Sequence, residues 1–286
     1  MAVRYNYPIS SQDNICYFDL SKKNRLPLQG SNIINFNPQF NAPLETFDAA
    51  FINNDNTLTS NGTNIFSISG SRSGTNLQNF NFINKTYSFW IYPLDVNSLQ
   101  IVMSYGVSLF FRTDTGNALS STSAGLVFIS AGKIHASYHG NLAFSPNSFS
   151  YSTKTIVPNT WQNITITCRE QSFANNYDSF SPIIHVNGTS ADVLYGSQNY
   201  SLNINYANAP YLASISPASV SVNVPRLHLG NNRTTMRILN SNTMVPPMTN
   251  GFQGLFGSQF YYYNRVMTLN QVKELYNKDR RQYGIN

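Results

Sequence analysis

Apolar and polar residues alternate with a period of two along much of this chain, most clearly in Ile164-Thr165-Ile166-Thr167-Cys168. A strand turns successive side chains to opposite faces, so such a stretch offers an apolar row to a core. The same reading predicts strands at residues 15–20, 87–92, 101–105, 107–111, 126–130, 134–138, 161–168, 183–186, 226–229 and 259–263. Trp90 and Trp161 are expected on these framework strands. Pro93 ends the first long one, because proline cannot donate to a ladder. Ala131-Gly132 and Asn187-Gly188 supply tight turns, the second being a strong two-residue hairpin signal. Shorter strands are expected near 33–36 and 65–68, and an edge-type strand at Phe80 and Phe82.

The period changes only near the end. Leu269, Val272, Leu275 and Tyr276 share one helical face, and Thr268 with Gln271 three residues on makes a capping box. One short helix is predicted over 268–279. Regular short strands with turn signals, and no repeat or linker, predict a single all-β domain over residues 1–286, an antiparallel β-sandwich closed by a short C-terminal α-helix. Residues 1–12 read as an N-terminal arm and 13–265 as the sandwich.

Composition sharpens this picture. Hydrophobic residues make up 41% and aromatic residues 14% of the 286 residues, enough for a large core. Only 10% are charged, against about 25% in ordinary globular proteins. Asn, Ser and Thr supply the polarity, a surface suited to β-rich extracellular or particle-surface proteins. The net charge is +6, but the 18 basic residues are scattered apart from Lys22, Lys23, Arg25 and the 278–281 stretch. No nucleic-acid partner is therefore expected. The first residues lack the apolar centre of a signal peptide, and no run reaches membrane-helix length. A cytoplasmic site of synthesis and no membrane insertion are expected, and the six N-x-S/T sequons are read as unglycosylated. Cys16 and Cys168 both fall in predicted strands. Spacing leaves open whether they are buried thiols or a disulfide.

Several motifs occur in a fixed order: Ser88-Phe89-Trp90-Ile91-Tyr92, then Thr160-Trp161-Gln162-Asn163-Ile164-Thr165, then Ile184-His185-Val186-Asn187-Gly188, then Leu227-His228-Leu229-Gly230. Gly251 to Tyr276 completes them with a glycine-started aromatic strand, an Asn264-Arg265 turn and the capped helix. Together they resemble the laminin-G-like, concanavalin A-like jelly-roll domains found in viral and phage structural proteins. The resemblance implies binding in place of catalysis. It also implies a place on a virion or particle surface, with a glycan or other particle proteins as partner, in an oligomer or larger assembly. Many such domains hold a calcium ion at the sandwich rim. Asp114 and Asp178 are the candidate acids, and neither matches the calcium motif, so no cofactor is expected.

Catalytic chemistry finds little support. A glycosidase of the usual kind needs two carboxyl groups flanking the scissile bond, and the three glutamates, Glu45, Glu170 and Glu274, are far apart in sequence. His135 and His139 lie about 13 Å apart along a strand, too far to share a metal. His185 and His228 fall on different strands. A non-catalytic recognition or assembly protein is expected. The alternatives are a coat or fibre subunit with no ligand and a lyase-type polysaccharide enzyme. For a ligand, the candidate residues are Tyr195, Tyr200, Tyr206 and Tyr211, flat aromatic faces in an Asn- and Ser-rich segment between framework strands.

Overall fold

Strands with one apolar row bury it by stacking two sheets face to face. The structure, a computed structural model, describes residues 14–19, 32–33, 44–47, 51–53, 55, 57–62, 65–69, 84–106, 110–111, 118–119, 124–139, 150–170, 180–190, 220–221, 226–230, 235–238, 241–244 and 251–286. In chain order the strands begin with β1 (Asn14–Asp19), β2 (Asn32–Ile33), β3 (Leu44–Phe47), β4 (Phe51–Ile52), β5 (Leu58–Asn61), β6 (Ile65–Ser69) and β7 (Lys85–Pro93). They continue with β8 (Gln100–Gly106), β9 (Phe110–Phe111), β10 (Ala118–Leu119), β11 (Ala124–Ser130), β12 (Lys133–His139), β13 (Ser150–Thr155) and β14 (Gln162–Glu170). Last come β15 (Phe180–Val186), β16 (Thr189–Ser190), β17 (Val220–Ser221), β18 (Arg226–Leu229), β19 (Thr235–Ile238), β20 (Ser241–Met244), β21 (Gln253–Tyr263), helix α1 (Leu269–Asp279) and a 3-10 turn at Arg280–Tyr283.

Two eight-stranded antiparallel sheets dominate. The first runs β16-β15-β14-β7-β21-β5-β4, with β1 also on β21; the second runs β13-β12-β11-β8-β18-β6-β3-β2. Tyr87, Phe89 and Ile91 of β7, Ile164, Ile166 and Cys168 of β14, and Phe256, Phe260 and Tyr262 of β21 form one cluster with Val102, Met103, Val127, Ile129, Ile134 and Ala136 of the second sheet. That cluster is the filling of an all-β sandwich. Each fully buried large side chain in it contributes roughly 1.5–3 kcal/mol. At one edge Lys154 Nζ of β13 ties the sheets together by donating to Thr189 O and Oγ1 at 3.2 and 2.7 Å.

The local signals explain the turns. Asn187 and Gly188 both take left-handed φ, 52° and 71°, and hand the chain from Val186 to its ladder partner Thr189. Only Gly and a few polar residues reach that region cheaply, which is why this pair marks the hairpin. The cysteines are separate. Cys16 pairs with Tyr262, Tyr262 with Tyr87, and Tyr87 with Ile166 of Cys168's strand. Three strand spacings are about 14 Å, twice the Cα reach of a disulfide at about 7 Å. Cys168 is a free thiol buried in the core, and that burial pushes its pKa up to about 12.

The outer face of the first sheet is also covered. Met267, Val272 and Leu275 pack with Tyr261 and Tyr263 as a second apolar cluster. Trp90 stacks against Tyr276 and Tyr283, with ring centroids 5.7 and 4.2 Å away. The expected helical face is thus corrected by one residue: Leu269 is 37% exposed and Met267, just before the cap, takes its place in the cluster. The capping box is formed as the sequence predicts. Gln271 N donates to Thr268 Oγ1 at 3.3 Å and Thr268 N to Gln271 Oε1 at 3.0 Å. Thr268→Ala is expected to cost about 1 kcal/mol, read as a lower denaturant midpoint at unchanged slope.

Candidate functional site

Where Pro93 stops β7, the sandwich ends in a rim of three bonded loops. Leu94 N donates to Gln253 O at 3.1 Å, and Asn159 N to Pro93 O at 2.8 Å. Asp95 organises the first loop. Its carboxylate accepts from Asn97 N at 2.8 Å, from Ser98 N at 3.2 Å and from the Ser98 hydroxyl. These bonds, the Ser98 side chain foremost, hold the Asp95 carboxyl below the usual carboxylate range. Gln100 Nε2 donates to Asp95 O at 3.0 Å while its Oε1 accepts from Gln253 N at 2.8 Å. The Ala131-Gly132 turn donates to Asn97 O and Val96 O at 3.1 and 2.7 Å. Gln162 closes the third loop, donating to Val157 O at 2.6 Å and accepting from Val157 N at 3.3 Å.

Aromatic rings stand on this frame. Tyr92 and Trp161 meet with centroids 5.5 Å apart at 58°. Trp161 meets Tyr283 at 4.8 Å and 51°, and Tyr283 stacks on buried Trp90. Tyr92, Trp161 and Tyr283 are half-buried, so the row runs from the protein interior to solvent. The Tyr283 hydroxyl donates to Gln259 Oε1 at 2.8 Å, and burial raises its pKa. Beside the rings, Leu94 and Val157 are 57% and 54% exposed. Asn97, Ser98, Asn159 and Thr160 are exposed as well. Neither residues 94–100 nor 156–162 contain Lys or Arg. These two loops therefore offer a small apolar and aromatic patch fringed by uncharged hydrogen-bonding groups and by the Asp95 carboxylate, which is engaged within its own loop.

The placement of Trp161 differs from the sequence expectation. It sits one residue before β14, half-buried on the outer side, and is not a core residue. Alternation alone could not show this, because it counts faces without saying which is covered. A usable signal was present in Phe89-Trp90-Ile91-Tyr92, an unbroken run of the kind found where both faces of a strand are covered.

Beneath α1 the same sheet face carries a buried polar ladder. Ser88 Oγ and Thr165 Oγ1 are 2.8 Å apart, Asn163 Nδ2 donates to Ser88 Oγ at 3.3 Å, and Thr165 Oγ1 donates to Asn163 Oδ1 at 3.0 Å. His185 Nε2 pairs with Thr167 Oγ1 at 3.2 Å, while its Nδ1 has no hydrogen-bond partner among the described residues. Burial, and secondarily the Lys154 charge, depress its pKa to about 4. His135 stacks on Phe128 with centroids 4.6 Å apart, and burial lowers its pKa too.

The other sequence candidates are dispersed or lie elsewhere. His185 lies on β15 of the first sheet and His228 on β18 of the second. Glu45 is on β3, Glu170 ends β14, and Glu274 is exposed on α1. Among the described residues there is no cluster of three His, Cys, Asp or Glu side chains able to hold a metal. No helix among them is long and apolar enough to cross a membrane. Tyr195, Tyr200, Tyr206 and Tyr211, with Asp114 and Asp178, lie outside the described residues.

No protein-family model matches the sequence, and no curated protein matches it. Solved structures do match the fold. The botulinum neurotoxin serotype D/C binding domain superposes with a TM-score of 0.55 at 10% identity, covering 94% of this chain and 52% of that one. The binding domain of botulinum neurotoxin DC in complex with rat synaptotagmin II gives 0.53 at 11%, with 94% and 52% covered. A structure of botulinum neurotoxin type C, whose cell entry depends on interaction with two ganglioside molecules, gives 0.54 at 9%, with 94% and 51% covered. The chain spans about half the length of these structures, and what it shares with them is a β-sandwich fold.

Proposed function

We propose that this chain is a non-catalytic recognition module of the laminin-G-like type, displayed on a virion or similar particle, and that the Tyr92–Trp161 rim makes its contact. The carrying observation is a half-exposed aromatic pair, flanked by exposed Leu94 and Val157, on loops whose backbone is bonded to both sheets. Rigid aromatic anchors lose little freedom on binding, which suits them to recognition. The family reading is supported by the motif order: its strands fall on β7, β14, the β15–β16 hairpin, β18 and β21 with α1. Binding domains among the structural neighbours agree with the reading, as does the sparsely charged composition with a particle surface.

The test is binding of the purified chain to a glycan array and to isolated particle proteins, compared with a Leu94→Glu/Val157→Glu variant. Both positions are exposed, so the melting temperature is expected to stay within about 2 °C, while binding falls at least about tenfold. Unchanged binding in the variant places the contact elsewhere. A chain that binds nothing but assembles by light scattering is a coat or fibre subunit.

A further inference from the structure

We propose that the rim is a site for an uncharged sugar ring, packed against the Trp161 indole with Tyr92 as a side wall. The inference rests on the recognition reading above and specifies its ligand. A pyranose has an apolar C–H face and a girdle of hydroxyls. The rim has the matching halves: partly exposed rings at 58° to each other, and the exposed amide and hydroxyl of Asn159 and Thr160 on the adjoining loop. Two rings so inclined form a corner, which holds a small puckered ligand better than the flat surface of a protein.

Charge argues for a neutral ligand. The two loops that frame the rings carry no cation, and those close to the rim in sequence include Lys133 after the Ala131-Gly132 turn and Arg280 and Arg281 before Tyr283, so neither framing loop would itself neutralise a carboxylate or sulfate. Their acid, Asp95, is occupied by Asn97, Ser98 and Gln100. Preorganisation argues for a standing site. Gln162 fixes the Val157 backbone from both sides, and Tyr283 braces Trp161 from behind. Little ordering remains to oppose binding, which matters for a ligand that offers few contacts.

Tryptophan emission gives a direct reading, because the chain has two tryptophans and Trp90 is fully buried. The full chain is screened against the neutral and acidic members of a glycan array. It is then titrated with the strongest neutral hit and with lactose, maltotriose and 3′-sialyllactose, by indole emission and calorimetry. Expected are saturable binding of a neutral glycan, an emission change, a loss of at least about tenfold in Trp161→Ala and in Val157→Glu, and partial recovery in Trp161→Phe. Val157→Glu guards against a folding defect in the tryptophan variant, since that side chain is exposed. Neutral-glycan binding that survives Val157→Glu and Trp161→Phe unchanged overturns the site. Rim-dependent binding to a protein or to acidic glycans only overturns the sugar class and leaves the recognition reading intact. No binding to any glycan or particle protein overturns both.

Discussion

Trp90→Ala is expected to destabilise the protein by about 3–5 kcal/mol, the range for removing a large buried aromatic ring. Trp90 is fully buried, but its partners are Tyr276 and Tyr283 of the C-terminal segment and not the opposite sheet. The loss should therefore undock that segment as well as weaken β7. The fit is close. A Cβ added at Gly257 would lie 2.4 Å from the Tyr283 hydroxyl and 2.6 Å from Trp90 Cβ, so only glycine lets the two rings stack against β21. Limited proteolysis of Trp90→Ala should cut within α1 well before the sandwich is degraded. Trp90→Phe is expected to cost clearly less than Trp90→Ala, because it leaves a smaller cavity. It keeps most of the ring and removes an indole N–H with no partner among the described residues. An alanine variant that loses less than about 1 kcal/mol, with α1 still protected, would show that the helix is held by other contacts.

Acid is expected to weaken the fold through His185. Its folded pKa is about 4 against an ordinary 6.5. Between those values the unfolded chain binds a proton that the folded chain does not, so stability falls as pH drops from about 6.5 toward 4 and then levels. At about 1.36 kcal/mol per unit the ceiling is about 3 kcal/mol. Burial of His135 acts in the same direction. Denaturant melts at pH 7.5 and 4.5 on the wild type and on His185→Asn should show a clearly smaller acid loss in the variant. An equal loss in both proteins would remove His185 from the explanation.

Much of the framework was legible because it rests on local chemistry. Thr268 and Gln271 cap a helix wherever they occur in that spacing, and Asn187-Gly188 makes a hairpin because its backbone preference matches strand twist. Ile164, Ile166 and Cys168 point to the core as their alternation predicts. What stayed hidden depends on which layer covers a face. Trp90 and Phe89 look alike in sequence, yet one lies under α1 and the other between the sheets. Tyr92 and Trp161 are far apart in the chain and become a site only when the β7 and β14 ends meet. Composition singles out Tyr195, Tyr200, Tyr206 and Tyr211, and composition carries no information about position on the fold.

Strand β21 lies in the middle of its sheet with β7 along one side. Along the other it meets β5 through Gln253 to Phe256 and β1 through Gln259 to Tyr263, changing partner at an irregularity between Phe256 and Phe260. Ser60 Oγ, for instance, donates to Phe252 O across 192 residues of chain. Strands made first thus wait for one made late. Loop closure of this length is slow, and unpaired strands are sticky in the interval. Folding during synthesis should leave β1, β4 and β5 without their final place until β21 has emerged, and refolding in vitro should be slower and more concentration-sensitive than the stability of the finished sandwich suggests.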